Sequence, residues 1–183
     1  MEGPLLWFVN RGTGVALLLL LTVTTVLGVL ATRGDAGRGL PRFVTQSLHR
    51  NLGLVSLALL LAHVVTAVLD EYVDIRWWHA LAPVGATYEP VSLGLGALAL
   101  DLLVAAAVTS VVRHRLAHGA WRAVHVVTYV AWVLAVLHGI GIGTDARTGW
   151  GIATTLASVA AVGAAAAVRV VGLASARPGP VPR

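Results

Sequence analysis

Five long apolar runs govern what this chain of 183 residues can become; they lie at about 14–31, 52–69, 91–112, 121–142 and 150–171. A run of about 18 or more residues with few charges is long enough to cross the hydrocarbon core of a bilayer as a helix. In that solvent the backbone must satisfy its own polar groups, which leaves helices and closed barrels as the only spanning structures. The runs therefore predict an all-α membrane protein, a bundle of five transmembrane helices. With 57% hydrophobic and only 11% charged residues, little remains to build a separate soluble domain. Residues 1–173 are expected to form one domain. Residues 174–183, with Pro178, Pro180 and Pro182, read as a disordered cytoplasmic tail.

The charges set the orientation. Arg33, Arg38 and Arg42, with Arg50 just beyond, follow the first run; Arg113, Arg115 and Arg122 precede the fourth; Arg169, Arg177 and Arg183 close the chain. Arg11, Arg76 and Arg147 alone fall on the other side, where Asp70, Glu71, Asp74 and Glu89 lie. The positive-inside rule places the first and third loops and the C-terminus in the cytoplasm, and the N-terminus outside. Trp7, Trp77, Trp78 and Trp150 then sit at the outer interface and Trp121 at the inner one. The start of the chain has Glu2 in place of a basic leader, so a cleaved signal peptide is not expected. A pI of about 11.0 does not indicate nucleic acid here, because the arginines are spread over loops between spans. All 13 basic residues are arginine, amid abundant Ala, Gly and Val. That is the composition of a GC-rich bacterial genome, and the expected location is a bacterial cytoplasmic membrane crossed several times. Cysteine is absent, which excludes disulfides, iron–sulfur clusters and thiol nucleophiles.

Two of the spans carry paired histidines: His49 and His63 in the second, His125 and His138 in the fourth. These spans run in the same direction. At a rise of about 1.5 Å per residue, intervals of 14 and 13 give vertical offsets of about 21 and 20 Å. His49 and His125 therefore share a level near the cytoplasm, and His63 and His138 share one nearer the outside. Haem iron is held axially by histidine, and an ionisable side chain within a membrane needs some such partner. Two haems, one above the other, each with one ligand from each helix, are the expectation. Polar residues hydrogen-bonded between helices are the plainer reading, but they suit one histidine better than four at matched depths. Rotation is less regular. Fourteen residues at about 100° each return to within about 40° of the start, whereas 13 leave an offset of about 140°. The fourth span is expected to tilt, bend, or present its two histidines from different sides. Gly53, one turn after His49, and Gly139, beside His138, would let a flat macrocycle approach the backbone, although glycine also serves helix packing.

Other polar residues are weaker candidates. Asp101 is the one acid within a span, at a cost of about 2.5–3.5 kcal/mol on insertion scales. It is a candidate acceptor for a ligand imidazole, as carboxylates around metal sites often are; the alternative is a protonated acid bonded to a neighbouring helix. Arg11, Arg50 and Arg122, with Arg113, are candidates for haem propionate contacts, against the plainer role of interfacial arginines. His79, His114 and His118 are expected to be solvated loop residues. Thr22 and Thr109 are expected to serve helix packing.

The string His49-Arg50-Asn51-Leu52-Gly53 through Ala62-His63, then Trp121-Arg122-Ala123-Val124-His125 through Leu137-His138-Gly139, resembles the ferric reductase-like transmembrane domain. That family includes NADPH oxidases, ferric reductases and the haem subunit of periplasmic methionine sulfoxide reductase systems. The resemblance covers roughly residues 7–172, including Arg11 in the opening stretch and the segment 94–115. It implies two haem b groups, His49 with His125 inside and His63 with His138 outside. It also implies electrons passed outward, one at a time, to ferric iron, a periplasmic flavoprotein or oxygen. Many relatives carry a flavin and nicotinamide domain after the last helix, and no flavin or nicotinamide site is expected within this chain. The donor is then a separate flavoprotein or a membrane quinol, and the expected activity is that of a ferric reductase-like transmembrane oxidoreductase. Relatives often have six spans against the five counted here. The missing one is expected to precede the core. Two rival readings remain at this point. A metal or proton transporter would use the same histidines and be colourless. A haem-containing membrane anchor for a separate redox subunit would bind haem without passing electrons to an outside acceptor. Membrane lipid is a partner on every reading.

Overall fold

The computed structural model describes residues 5–31, 41–70 and 73–175, with side chains to residue 172. Arg33, Arg38, Asp35 and Glu71, and the tail residues 176–183, lie outside the described residues. The regular elements of the described residues are all helices: α1 (Leu5–Ala31), α2 (Arg42–Leu69), α3 (Pro90–Val111), α4 (His118–Val126), α5 (Thr128–Ile142) and α6 (Gly149–Ser175). Single 3₁₀ turns at Trp77–Ala80 and Arg113–Arg115 flank α3. The helices α1, α2, α3 and α6, with α4 and α5 taken together, are the five that are long and apolar enough to cross a membrane. Several helices begin earlier than the apolar runs, because they continue through polar residues such as Asn10, Arg11, Gln46 and His49 at their ends.

Helix α1 is the hub. It packs on α2, α6 and α5, while α3 packs chiefly on α5 and α4. The residues between helices are small or narrow, among them Ala97, Ala99, Ala106, Ala131 and Val136. Lipid offers no less apolar an environment than the protein, so spans associate through close packing and interhelical hydrogen bonds. One such bond crosses the bundle: Trp132 Nε1 donates to Thr22 Oγ1 at 3.1 Å, joining α5 to α1. The outward faces carry Leu54, Leu61, Val108, Leu156 and Val170, each well exposed, as a lipid-facing surface would be.

The fourth span is broken at Val127. Val127 donates its N–H to Val124 O at 3.2 Å, a tightened turn, and the Thr128 hydroxyl takes the carbonyl of His125 at 2.7 Å. A hydroxyl that bonds back to its own helix competes with the backbone ladder and bends it. A 3₁₀-type turn advances by about 120° per residue in place of about 100°. Over one turn it recovers roughly 60° of the shortfall that a 13-residue interval leaves. Of the tilt, bend or change of side expected from the His125–His138 spacing, the structure shows an interruption of the helix at Val127.

Candidate functional site

Helix α2 packs mainly on α1, and α5 mainly on α3, so the histidines of α2 and of α4–α5 meet at their ring tips and not across a close helix contact. The rings of His49 and His125 have centroids 5.9 Å apart at an interplanar angle of 69°. Those of His63 and His138 are 6.5 Å apart at 89°. Two imidazoles on opposite sides of one metal, each about 2.0 Å from it, have centroids about 6 Å apart.

Three of the four rings are anchored alike. His63 Nδ1 bonds Asn10 O at 3.1 Å, His49 Nδ1 bonds Thr24 O at 2.9 Å, and His138 Nδ1 bonds Ser92 O at 2.8 Å. A carbonyl only accepts, so each Nδ1 carries the proton and donates it. The lone pair is then on Nε2, on the ring edge turned away from the flanking helix. This is the tautomer and the backbone partner of a metal-ligating histidine. Each carbonyl has a second lone pair to offer, and the residue four positions on, whose side chain would stand against the ring, is a glycine. A Cβ built on Gly14 would stand 3.2 Å from His63 Cε1, and one on Gly28 would stand 3.2 Å from His49 Cε1. One on Gly96 would stand 2.5 Å from His138 Nδ1. Each imidazole lies where its neighbour helix has no side chain.

Further bonds fix the His63 cradle. Asn10 Nδ2 donates to His63 O at 2.8 Å and to Thr66 Oγ1 at 3.2 Å. The Thr13 hydroxyl donates to Val9 O and Asn10 O and lies 3.2 Å from His63 Nδ1. His125 departs from the pattern. Its Nδ1 is buried without a partner, as is Thr24 Oγ1. Trp121 stacks on its ring instead, centroids 5.0 Å apart and planes at 22°.

The cradle residues Asn10, Thr24, Ser92, Gly14, Gly28 and Gly96 escaped the sequence reading. A signal was available: Gly14 and Gly28 are 14 residues apart, as His49 and His63 are. Gly53 and Gly139, which the sequence singled out, have nothing within 4 Å of a built Cβ.

The remaining candidates are scattered. Asp101 is exposed on α3. It stands nine residues from Ser92, about 180° around the helix, so it faces away from the histidines and the imidazole protons go to main-chain carbonyls instead. Arg50 and Arg122 are exposed beside His49 and His125, and Arg113 lies with its guanidinium 5.8 Å from the Trp121 ring centroid. His114 and His118 are exposed as expected, but His79 is buried and its Nδ1 accepts the Arg76 N–H at 3.2 Å. It caps the 3₁₀ turn and is not solvated.

Arg11 forms a two-pronged ion pair with Asp145 in the α5–α6 loop and lies 4.9 Å from the Trp7 ring centroid. Its partner in the structure is thus a carboxylate of the chain itself. The Asp145 side chain is 9% exposed and that of Arg11 34%. Arg11→Ala leaves a nearly buried carboxylate unpaired. A fully buried pair broken this way costs about 3–5 kcal/mol; with Arg11 a third exposed, we expect about 1–3 kcal/mol. The thermal midpoint in detergent should fall for Arg11→Ala, and adding Asp145→Ala should restore part of the loss. An unchanged midpoint for the single variant would show that the pair carries no stability.

A family model described as ferric reductase like transmembrane component matches residues 12–136, a stretch that includes His49, His63 and His125. No curated protein matches the chain, and no solved structure does.

Proposed function

The chain belongs to the ferric reductase-like transmembrane family, and from that premise we propose that it is a dihaem b-type carrier of electrons across the membrane. The observation that carries the proposal is the anchoring of His49, His63 and His138 through Nδ1–H to main-chain carbonyls. It leaves a bare Nε2 on each ring at the two places where α2 meets the fourth span.

The donor set suits haem. A porphyrin supplies four in-plane nitrogens and asks the protein for axial ligands only, whereas a bare zinc asks for about four protein ligands. Among the described residues no cluster of three or more His, Cys, Asp or Glu is present. His49 and His125 would hold the inner group, and His63 and His138 the outer. Bound haem would supply one-electron iron chemistry. The carbonyls of Asn10, Thr24 and Ser92 set tautomer and ring orientation. The missing side chains at Gly14, Gly28 and Gly96 let each ring lie flush on its neighbour helix. The apolar spans exclude water from both levels. Arg50 and Arg122 would pair with propionates at the inner level.

In this reading residues 1–173 are the haem-binding domain, with 174–183 a cytoplasmic tail, in a bacterial cytoplasmic membrane with the N-terminus outside. Electrons come from a separate cytoplasmic flavoprotein or a quinol and leave to ferric iron, a periplasmic flavoprotein or oxygen. Sealed vesicles holding the purified protein, with ferricyanide trapped inside and photoreduced flavin mononucleotide outside, test it. The trapped ferricyanide should be consumed at least about tenfold faster than in empty vesicles, and His63→Ala should abolish the difference. Equal rates with and without protein would reject transmembrane electron transfer.

A further inference from the structure

We propose that Trp121 is the positioning residue of His125, its stacked indole setting the ring plane that main-chain carbonyls set for the other three histidines. The inference rests on the dihaem reading above and extends it to a residue with no polar contact to any histidine.

Three of the four histidines rest in a repeated cradle. An accepting carbonyl at one position and a glycine four residues later occur at Asn10 and Gly14, at Thr24 and Gly28, and at Ser92 and Gly96. On α1 the two cradles are 14 residues apart, which matches the two levels on α2. The same step on α3 leads from Ser92 and Gly96 to Ala106 and Ser110. That fourth cradle is spoiled at its glycine position. Position 110 carries a serine side chain, while the Ala106 carbonyl accepts the Thr109 hydroxyl at 3.2 Å much as Asn10 O accepts that of Thr13. His125, the ring this cradle would serve, is the one whose Nδ1 is buried without a partner.

The substitute is built from the residue that spoils the cradle. Ser110 Oγ accepts from Trp121 Nε1 at 3.4 Å, and the indole so held lies on the His125 ring at 5.0 Å and 22°. Trp121 and His125 are four residues apart on α4, the spacing that puts side chains on one helix face. Stacking restrains the tilt of a ring but takes no proton from it. His125 is therefore the least constrained of the four, and Trp121 is what constrains it.

Loss of the group that orients a ligating histidine typically lowers metal affinity about 10–100-fold. The test uses the purified full chain in the His63→Ala background, where the reading leaves the inner haem alone, and follows haem transfer to excess apomyoglobin. Adding Trp121→Ala should speed transfer by about 10-fold or more. It should also move the low-spin ferric resonance signal, which reports the angle between the two imidazole planes. Trp121→Phe should restore both, since it keeps a stacking ring. Trp121→Leu, which fills space without a ring, should behave as alanine does and serves if the alanine variant does not fold. Transfer rates and resonance unchanged in both Trp121→Ala and Trp121→Leu would overturn the inference. Wild-type protein that binds no haem would overturn the dihaem reading itself, a distinct outcome.

Discussion

His63→Ala is expected to remove one of two haems and leave the other in place. The substitution deletes an axial ligand and also takes one bond from each of its anchors. Asn10 O loses the Nδ1 proton it accepts, and the Thr13 hydroxyl loses its neighbour. Asn10 O keeps the Thr13 hydroxyl as a donor, so the loss falls on the orientation of the outer level more than on the fold. The inner level is about 21 Å away along α2, beyond the roughly 7–10 Å within which effects cease to add. Haem content per chain should fall by half, and the remaining haem should keep its spectrum. His49→Ala should give the converse, and the double variant should be colourless. Haem content that is unchanged in His63→Ala would break the proposed pairing of His63 with His138.

Gly96→Ala should be the most damaging of the three methyls that would face a histidine, those at Gly14, Gly28 and Gly96. Its Cβ would stand 2.5 Å from His138 Nδ1, 2.7 Å from Cε1 and 3.1 Å from Cγ. The ring cannot simply swing aside, because Nδ1 is bonded to Ser92 O at 2.8 Å and its far edge meets His63. Overpacking of this kind costs about 1–3 kcal/mol, and here the displaced group is a ligand. We expect partial or complete loss of the outer haem together with a lower unfolding midpoint. Gly14→Ala and Gly28→Ala, with contacts at 3.2 Å, should act in the same direction but more weakly. A Gly96→Ala protein with full haem content and a normal midpoint would mean that His138 is not held where the structure holds it.

The five spans were legible because lipid asks a simple question of a sequence, and a long apolar run answers it without help from tertiary contacts. The break at Val127 was legible only as a need, from the interval of 13 between His125 and His138. No proline or glycine marks the place, and the hydroxyl of Thr128 acts through a bond to its own helix. The cradles were harder still. A carbonyl has no side-chain signature, so Asn10, Thr24 and Ser92 gave no sign of their role. Asp101 misled for the opposite reason. A lone acid in a span draws attention wherever it points, and its helical position turns it away from the site. The pairing of Arg11 with Asp145 joins residues 134 positions apart, which no local pattern reveals.

The most direct measurement is haem content of the purified protein, from a pyridine haemochrome assay and a reduced-minus-oxidised spectrum. Two facing histidine pairs predict about two b-type haems per chain. A colourless protein, or one haem per chain in the wild type, would contradict the account.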